Sequence, residues 1–404
     1  MTELGPLPEE WEVVRLGEVA NVVMGQSPPG NSYNEIGEGF PFLQGKAEFG
    51  SLHPKHIKYT TIPMKLAPKN SILLSVRAPV GDTNIADIEY CIGRGLSSIS
   101  FKEGNNIFLF YMLIHLKGDL EKEGTGSIFK AITKEKLFNF KLPLPSLSEQ
   151  QKIATVLSAV QEAKEKTQAV IDATKALKKS MMKHLFTYGP VPPEETENVP
   201  LKETEIGKVP VEWEVVKLGE IAENRKETVD PNKEDIIYVG LEHINSGDSK
   251  LKRYGNSREI KSSKSRFYKD DILYAKLRPY LDKGILAEFE GICSTDILVI
   301  KPNKELINPQ FLTDLLHMPN FLDFATKSMT GVNHPRTSWS ILKTFKIPLL
   351  PLPVQQKIAS ILSAIDAKIE AEENKKQALE ELFKTLLDNL MTAKIRVNTL
   401  DVPI

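Results

Sequence analysis

EEWEVVRLGEVA, residues 9–20, returns as VEWEVVKLGEIA at residues 211–222. Trp11 maps onto Trp213 and Gly17 onto Gly219, an offset of 202. A longer stretch, FKLPLPSLSEQQKIATVLSAVQ at 140–161, returns as FKIPLLPLPVQQKIASILSAID at 345–366, an offset of 205. Just before it, ITKEKLFNF in the first copy is echoed by SWSILKTFKI in the second. A period of ~200 residues is far longer than the ~20–50 of a solenoid, so the chain is one two-part unit duplicated. Each copy predicts a globular segment of about 130 residues followed by a helix of about 40. The copies agree at their ends and diverge in their middles, so a common frame holds two different inserts. Cys91 and Cys293 also stand 202 apart, which predicts equivalent interior positions, the usual place for a free Cys.

After the proline-rich stretches at Pro143–Pro145 and Pro348–Pro353 the period becomes helical. Ser146 with Glu149 fits a capping box, and Pro353 suits a first turn. Spacing of four and three residues selects Ile358, Leu362, Ile365, Ile369, Glu372, Lys376, Leu379, Phe383, Leu386 and Leu390. Shifted by 205, it selects Ile153, Leu157, Val160, Lys164, Thr167, Ile171, Thr174, Lys178, Met181 and Leu185. A heptad seam with a polar middle predicts a coiled coil whose register is specified rather than maximised. The same seam occurring twice lets the stripes bury each other; a lone surface helix is the alternative. The segment 189–210, with five prolines and little apolar content, predicts an extended linker. The expected boundaries are 1–148 and 211–352 for the globular segments, 149–187 and 353–392 for the helices, 188–210 for the linker and 393–404 for a tail.

The 404 residues carry 52 Lys+Arg against 53 Asp+Glu, so any nucleic-acid surface must be local. No run of ~18 apolar residues predicts a membrane span. The first residues have neither the basic nor the apolar region of a secretory signal. Two cysteines so far apart imply a reducing cytosol. Within the inserts, ILLSVRAPVGDTNIADI, LSSISF, DIIYVGLEHI, DILYAKLRPYL and DILVI read as strands, and Phe108–Leu120 as an amphipathic helix matched by NPQFLTDLLHM. Each insert is therefore a mixed α/β or α+β domain.

Several chemistries are missing. Gly25–Ser32, GQSPPGNS, has the glycine frame of a phosphate loop, but Asn31 stands where Lys is needed and two prolines remove backbone donors. No GxGxxG follows a strand, and no Asn-Pro-Pro-aromatic tetrad of adenine methyltransferases occurs. Acid-x-Lys spacings at Glu162–Lys164 and Asp366–Lys368 fall on the predicted coiled coil. The seven histidines are scattered, without a zinc-ligand spacing. Nothing here predicts an enzyme.

Three features together carry a family resemblance. Each copy opens on Trp-x-x-x-x-Leu-Gly (Trp11, Leu16, Gly17; Trp213, Leu218, Gly219). Each later has a Thr-Gly turn (Thr125, Gly126, Ser127; Thr330, Gly331, Val332). Each helix starts on Gln-Gln-Lys-Ile (Gln150–Ile153; Gln355–Ile358). With the duplication itself, these resemble the specificity subunits of type I restriction–modification systems over nearly the whole chain. The sequence departs where Val332 replaces Ser127 and where Val354 replaces Glu149, read as a helix-start variant. The resemblance implies two target recognition domains, each reading one half of a bipartite, asymmetric double-stranded DNA sequence. It implies two long helices paired antiparallel as a coiled coil, giving a pseudo-two-fold molecule from one chain. It implies a non-catalytic, cytoplasmic subunit on which methyltransferase subunits, two of them, and restriction/translocase subunits assemble. S-adenosylmethionine, ATP and Mg would be bound by those partners, none by this chain. A helix of ~38 residues spans ~57 Å, or ~17 base pairs, so half-site spacing becomes a consequence of helix length. A coiled-coil scaffold whose inserts bind protein is the alternative function.

Candidate DNA-binding residues follow. Residues 250–269 hold eight Lys/Arg against one acid, with Tyr254, Phe267 and Tyr268 interleaved. This is a local positive strip from which Lys252, Arg253, Arg258 and Arg266 are candidates for phosphate contact. Arg77 and Arg278 stand at equivalent places after a strand, as a shared phosphate contact or a buried structural pair. Lys130 with Thr133, and Asn333, His334 and Arg336, follow turns at Gly126 and Gly331, where Gly allows close backbone approach. Gln44 and Lys46 suit base edges. Trp11 and Trp213, in the shared frame, are read as core.

Overall fold

A computed structural model of the chain describes residues 7–124, 131–230, 236–260 and 262–397. It forms two compact units, Met1–Gln168 with Asn374–Ile404, and Ala169–Glu373. The unit boundary therefore falls inside each long helix rather than at its ends. Four helices matter below: α1 (Asn106–His115), α2 (Leu147–Tyr188), α3 (Pro309–Leu316) and α4 (Leu352–Met391).

The repeated segments close each unit on itself. Glu12–Arg15 pairs antiparallel with Lys141–Leu144 in unit 1, and Glu214–Lys217 with Lys346–Leu349 in unit 2. Leu16 N donates to Phe140 O and Leu218 N to Phe345 O, both at 2.8 Å. The two ends of each insert are thus one ladder, which is why the sequence repeats there. Trp11 and Trp213 are buried beside it.

Each insert holds an antiparallel four-stranded sheet of one topology. In unit 1 its order is Ala20–Met24, Leu96–Phe101, Ile72–Ser75, Thr83–Ile85. In unit 2 it is Ala222–Asn224, Ile297–Pro302, Ile272–Ala275, Gly284–Leu286. A second, five-stranded sheet is built on a parallel pair, Phe40–Leu43 with Tyr90–Ile92 and Ile237–Val239 with Gly291–Cys293. Cys91 and Cys293 lie on these central strands and are buried. The sheets differ at both edges. Unit 1 adds Tyr33–Asn34 outside Lys58–Thr60, whereas unit 2 adds Thr228–Val229 on the opposite side, outside Lys264–Phe267.

The Gln-Gln start of each long helix is a structural joint. Gln150 is buried; its Oε1 accepts from Asn105 N (3.0 Å) and its Nε2 donates to Pro145 O (2.9 Å). Gln355 repeats this with Asn308 N (2.7 Å) and Leu350 O (2.7 Å). Asn105 and Asn308 in turn cap α1 and α3. In unit 1 the first half of α2 meets the second half of α4, with Lys164 Nζ over the Phe383 ring at 4.6 Å. In unit 2 the second half of α2 meets the first half of α4, with Lys178 Nζ at 2.6 Å from Asp366 and Lys175 Nζ at 2.8 Å from Glu373. Within each unit the pairing is antiparallel, because later residues of α2 meet earlier residues of α4.

Two sequence expectations change. The stretch 188–210 is not a bare linker: it forms a 3-10 helix, Pro193–Asn198, and a hairpin of Leu201–Thr204 with Gly207–Pro210. Gly207 at φ 102° supplies the turn, and Val209 is buried in the unit 2 core. The Phe108–Leu120 helix is two helices, α1 and Lys117–Glu123, and every side chain from Phe108 to Leu113 is buried. The apolar run serves an interior helix rather than an amphipathic one.

Candidate nucleic-acid interface

The second Thr-Gly turn builds an exposed loop of unit 2. Thr330 and Arg336 exchange backbone hydrogen bonds, each 3.0 Å, and close the loop. Gly331 takes φ 95°, a left-handed conformation that side chains disfavour. Arg336 anchors the base through Asp296, with Nε–Oδ1 2.8 Å and Nη2–Oδ2 3.3 Å. That guanidinium holds the Asp296 carboxyl below its ordinary range despite partial burial. Beyond this anchor Val332, Asn333 and His334 project into solvent, Val332 with 97% of its surface exposed. Arg278 N donates to Pro335 O at 2.9 Å, so the exposed Arg278 side chain stands beside the loop.

Arg77 and Arg278 are not strict equivalents. Arg77 bridges Ala131, but in unit 2 the residue that bridges Arg336 is Leu277. Arg278 is one step further on, at φ 51°. A place just after a strand in both copies masked the one-residue slip. Both side chains are exposed rather than a buried pair.

The strip at 250–269 divides into separate jobs. Lys252 reaches Glu373 on α4 (2.6 Å) and Asp248 (3.2 Å), strapping its loop to the helix. Arg253 donates to Glu242 O (2.5 Å). Arg258 is exposed on a short 3-10 helix, Ser257–Glu259. Arg266 and Arg225 both lie over the Tyr268 ring, at 5.5 and 4.6 Å, and Arg225 makes a two-bond contact with Asp271 (2.9 and 3.1 Å). Spacing alone made these cations one patch; their partners show that Lys252 and Arg253 hold the fold.

In unit 1, Lys46 and Lys117 share Asp82 at 2.8 and 2.5 Å. Burial opposes ionisation of Asp82, but hydrogen bonds from Lys117 and Lys46 outweigh it and hold its carboxyl below the ordinary range. Gln44 is half-buried against Ser27, with Nε2–Oγ 3.2 Å. Thr133 accepts from Lys136 N (3.3 Å) as the cap of the helix Lys134–Asn139, so its hydroxyl already has a helical role. Lys130, with Thr125–Ser127, lies outside the described residues.

Sequence reasoning missed two charged constellations. Glu149, read as a helix-start residue, is a buried anchor: it accepts from Trp11 Nε1 (3.1 Å) and from Arg396 Nε and Nη2 (2.6 and 3.0 Å). In unit 2, His317 Nδ1 faces Asp282 (2.8 Å) and Nε2 faces Gly284 O (2.9 Å). Both partners are acceptors, so the ring carries two protons. The loss of Glu at Val354 was the signal for the first; Asp314 and His317 on an apolar helix were the signal for the second. Among the described residues no cluster of His, Cys, Asp and Glu could hold a metal ion, and no helix is long and apolar enough to cross a membrane.

The same fold recurs in a known structure. The fold matches a crystal structure of the type I restriction–modification S subunit from M. genitalium, with a TM-score of 0.64 at 17% identity, over 96% of this chain and 98% of that one. A protein assigned as the type I restriction enzyme MjaX specificity subunit of Methanocaldococcus jannaschii is 49% identical over 190 residues. That match covers 46% of this chain and 45% of the relative, so the chain spans about half its length there. The type I restriction enzyme MjaVIII specificity subunit of the same organism is 28% identical over 98% of this chain and 95% of its own. The family model for the type I restriction modification DNA specificity domain matches twice, at residues 8–173 and 210–381. Two matched domains on one duplicated frame place the chain in the family of type I restriction–modification specificity subunits.

Proposed function

We propose that this chain reads a bipartite, asymmetric DNA target, one half-site per unit, and carries no catalytic group of its own. The observation that carries the reading is the duplication of one closed frame around inserts that differ at their exposed edges. Unlike inserts present different base-reading groups, since base edges rather than phosphates hold sequence information. In unit 2 the readers are Asn333 and His334 on the Thr330–Arg336 loop, with Arg278 and Arg266 as phosphate contacts and Arg258 beside them. In unit 1 they are Gln44 with Arg77, and Lys130 belongs to the same set, while Lys46, tied to Asp82, supports the surface. Arg336, Thr133, Lys252 and Arg253 support the surface, because each is engaged within the protein.

Methyltransferase subunits and restriction subunits assemble on the chain in the cytosol. S-adenosylmethionine, ATP and Mg bind to those subunits. The long helices set the unread gap between the half-sites. The test is selection from duplexes with two random blocks at varied separations, with and without the methyltransferase subunits. Enrichment of two short blocks at one fixed gap supports the reading; no enrichment under either condition favours the protein-binding scaffold instead.

A further inference from the structure

The duplication raises a question of self-pairing. If two copies of one frame each carry a long helix, either half could pair with its own kind rather than with the other half. The residues at one position of the frame answer it. The offset of 205 that carries Gln150 onto Gln355 carries Lys178 onto Phe383 and Gln161 onto Asp366. Six residues beyond the caps Asn105 and Asn308 stand Tyr111 on α1 and Asp314 on α3.

In unit 1 this position is aromatic. The buried Tyr111 ring meets Phe383 edge-to-face, with centroids 5.8 Å apart, and Lys164 lies over the other ring at 4.6 Å. In unit 2 the same position is ionic. Lys178 Nζ contacts both Asp366 oxygens, at 2.6 and 2.8 Å, and Ser249 Oγ donates to the same carboxylate at 2.9 Å. The Lys178 and Asp366 side chains are only 13% and 16% exposed. Asp314, fully buried, and the doubly hydrogen-bonded His317 complete the cluster.

We propose that this aromatic–ionic mismatch is a pairing code that makes the half bearing α2 accept only the half bearing α4. In a pair of two first halves, Lys178 would take the place of Phe383. Its ammonium would then meet Lys164, and Tyr111 would lose its ring partner. In a pair of two second halves, Phe383 would take the place of Lys178, leaving the shielded Asp366 without its ammonium partner and next to the buried Asp314. Each wrong pairing carries a repulsive or unpaired charge in a shielded site, the usual means of rejecting a competing partner. On the proposed function, the consequence is that two unlike readers are always joined, so the target stays asymmetric. The code itself is tested without DNA.

The full-length chain is purified with a protease site inserted between the exposed Glu194 and Glu195, then nicked after folding. It is mixed with an isotope-labelled nicked copy, and native mass spectrometry counts the pairs. The code predicts labelled and unlabelled pieces exchanging as unlike pairs, at least tenfold over like pairs. Lys178→Phe should allow first halves to pair with themselves, and Phe383→Lys should do so for second halves. A statistical mixture in the unsubstituted protein, or exchange in which neither substitution raises like pairs, overturns the proposal. If the nicked pieces stay together without exchanging, hydrogen exchange on the intact chain decides. Lys178→Phe should speed amide exchange of α3 at least tenfold while Lys178→Arg does not, and equal protection in both variants overturns the proposal.

Discussion

Replacing Arg396 by Ala should destabilise unit 1 far more than a surface substitution near a chain end normally does. Glu149 sits almost fully enclosed, its carboxylate shared between the Trp11 indole and the Arg396 guanidinium. Removing one partner of an enclosed ion pair leaves an uncompensated charge and costs ~3–5 kcal/mol. The Arg396 side chain keeps 26% of its surface exposed, so water recovers part of that, and the expected loss is about 2–3 kcal/mol. For a unit of about 200 residues each kcal/mol is worth ~2–4 °C, so the unit 1 transition should fall by ~4–12 °C. The internal repeat supplies the rescue. Val354 occupies the position of Glu149 in unit 2, so Glu149→Val combined with Arg396→Ala should recover a large part of the loss. The assay is a double-mutant cycle read by thermal denaturation, with hydrogen exchange assigning the effect to unit 1. A fall below 1 °C for Arg396→Ala, or strict additivity in the double variant, would refute the account of Glu149 as an enclosed anchor.

Three further outcomes follow from other sites. Burial pushes Asp314 up to about 6, so the folded unit keeps a proton that the unfolded chain releases near pH 4. The stability of unit 2 should therefore decline between pH 4 and 6, by roughly 3 kcal/mol from this group, and Asp314→Asn should flatten that decline in urea titrations. His317 acts in the same sense: burial opposes its charge, but Asp282 outweighs burial and raises its pKa. Its contribution is therefore complete below about pH 6.5 and fades as the pH climbs through the raised value. Replacing Asn333 and His334 should cost ~1–3 kcal/mol of discrimination at the unit 2 half-site only, whereas Arg278→Ala should weaken all duplexes alike and lower the salt slope by about 1; both are read by competition binding of the assembled complex. Gln355→Leu should cost about 1–3 kcal/mol in unit 2, because it orphans Asn308 N and Leu350 O in the interior, and denaturant unfolding measures it.

Repetition made the frame legible. Wherever the two copies agree, the structure has a shared joint: the ladder behind Trp11 and Trp213, or the bonds of Gln150 and Gln355. The heptad seam was visible for the same reason, as its spacing is a property of neighbours along the chain. What the sequence hid lies where partners come from far away. Glu149 looked local, yet its second partner is 247 residues distant. Lys252 looked like a free cation until Glu373 was found 121 residues on. Arg77 and Arg278 looked aligned because each follows a strand, but backbone pairing shifts them by one residue. Unit 2's hairpin at 201–210 was masked by its prolines, which read as linker until Val209 found a core.

The measurement closest to the central claim changes the frame and leaves the readers untouched. One heptad is inserted into each long helix, after Gln168 and before Asn374, where the unit boundaries fall. Seven residues add ~10 Å of helix, or ~3 base pairs. Target selection with the assembled methyltransferase should return the same two half-sites with the unread gap lengthened by ~3 base pairs. An unchanged gap, or half-sites altered in sequence, would contradict the reading of the helices as the ruler between two independent readers.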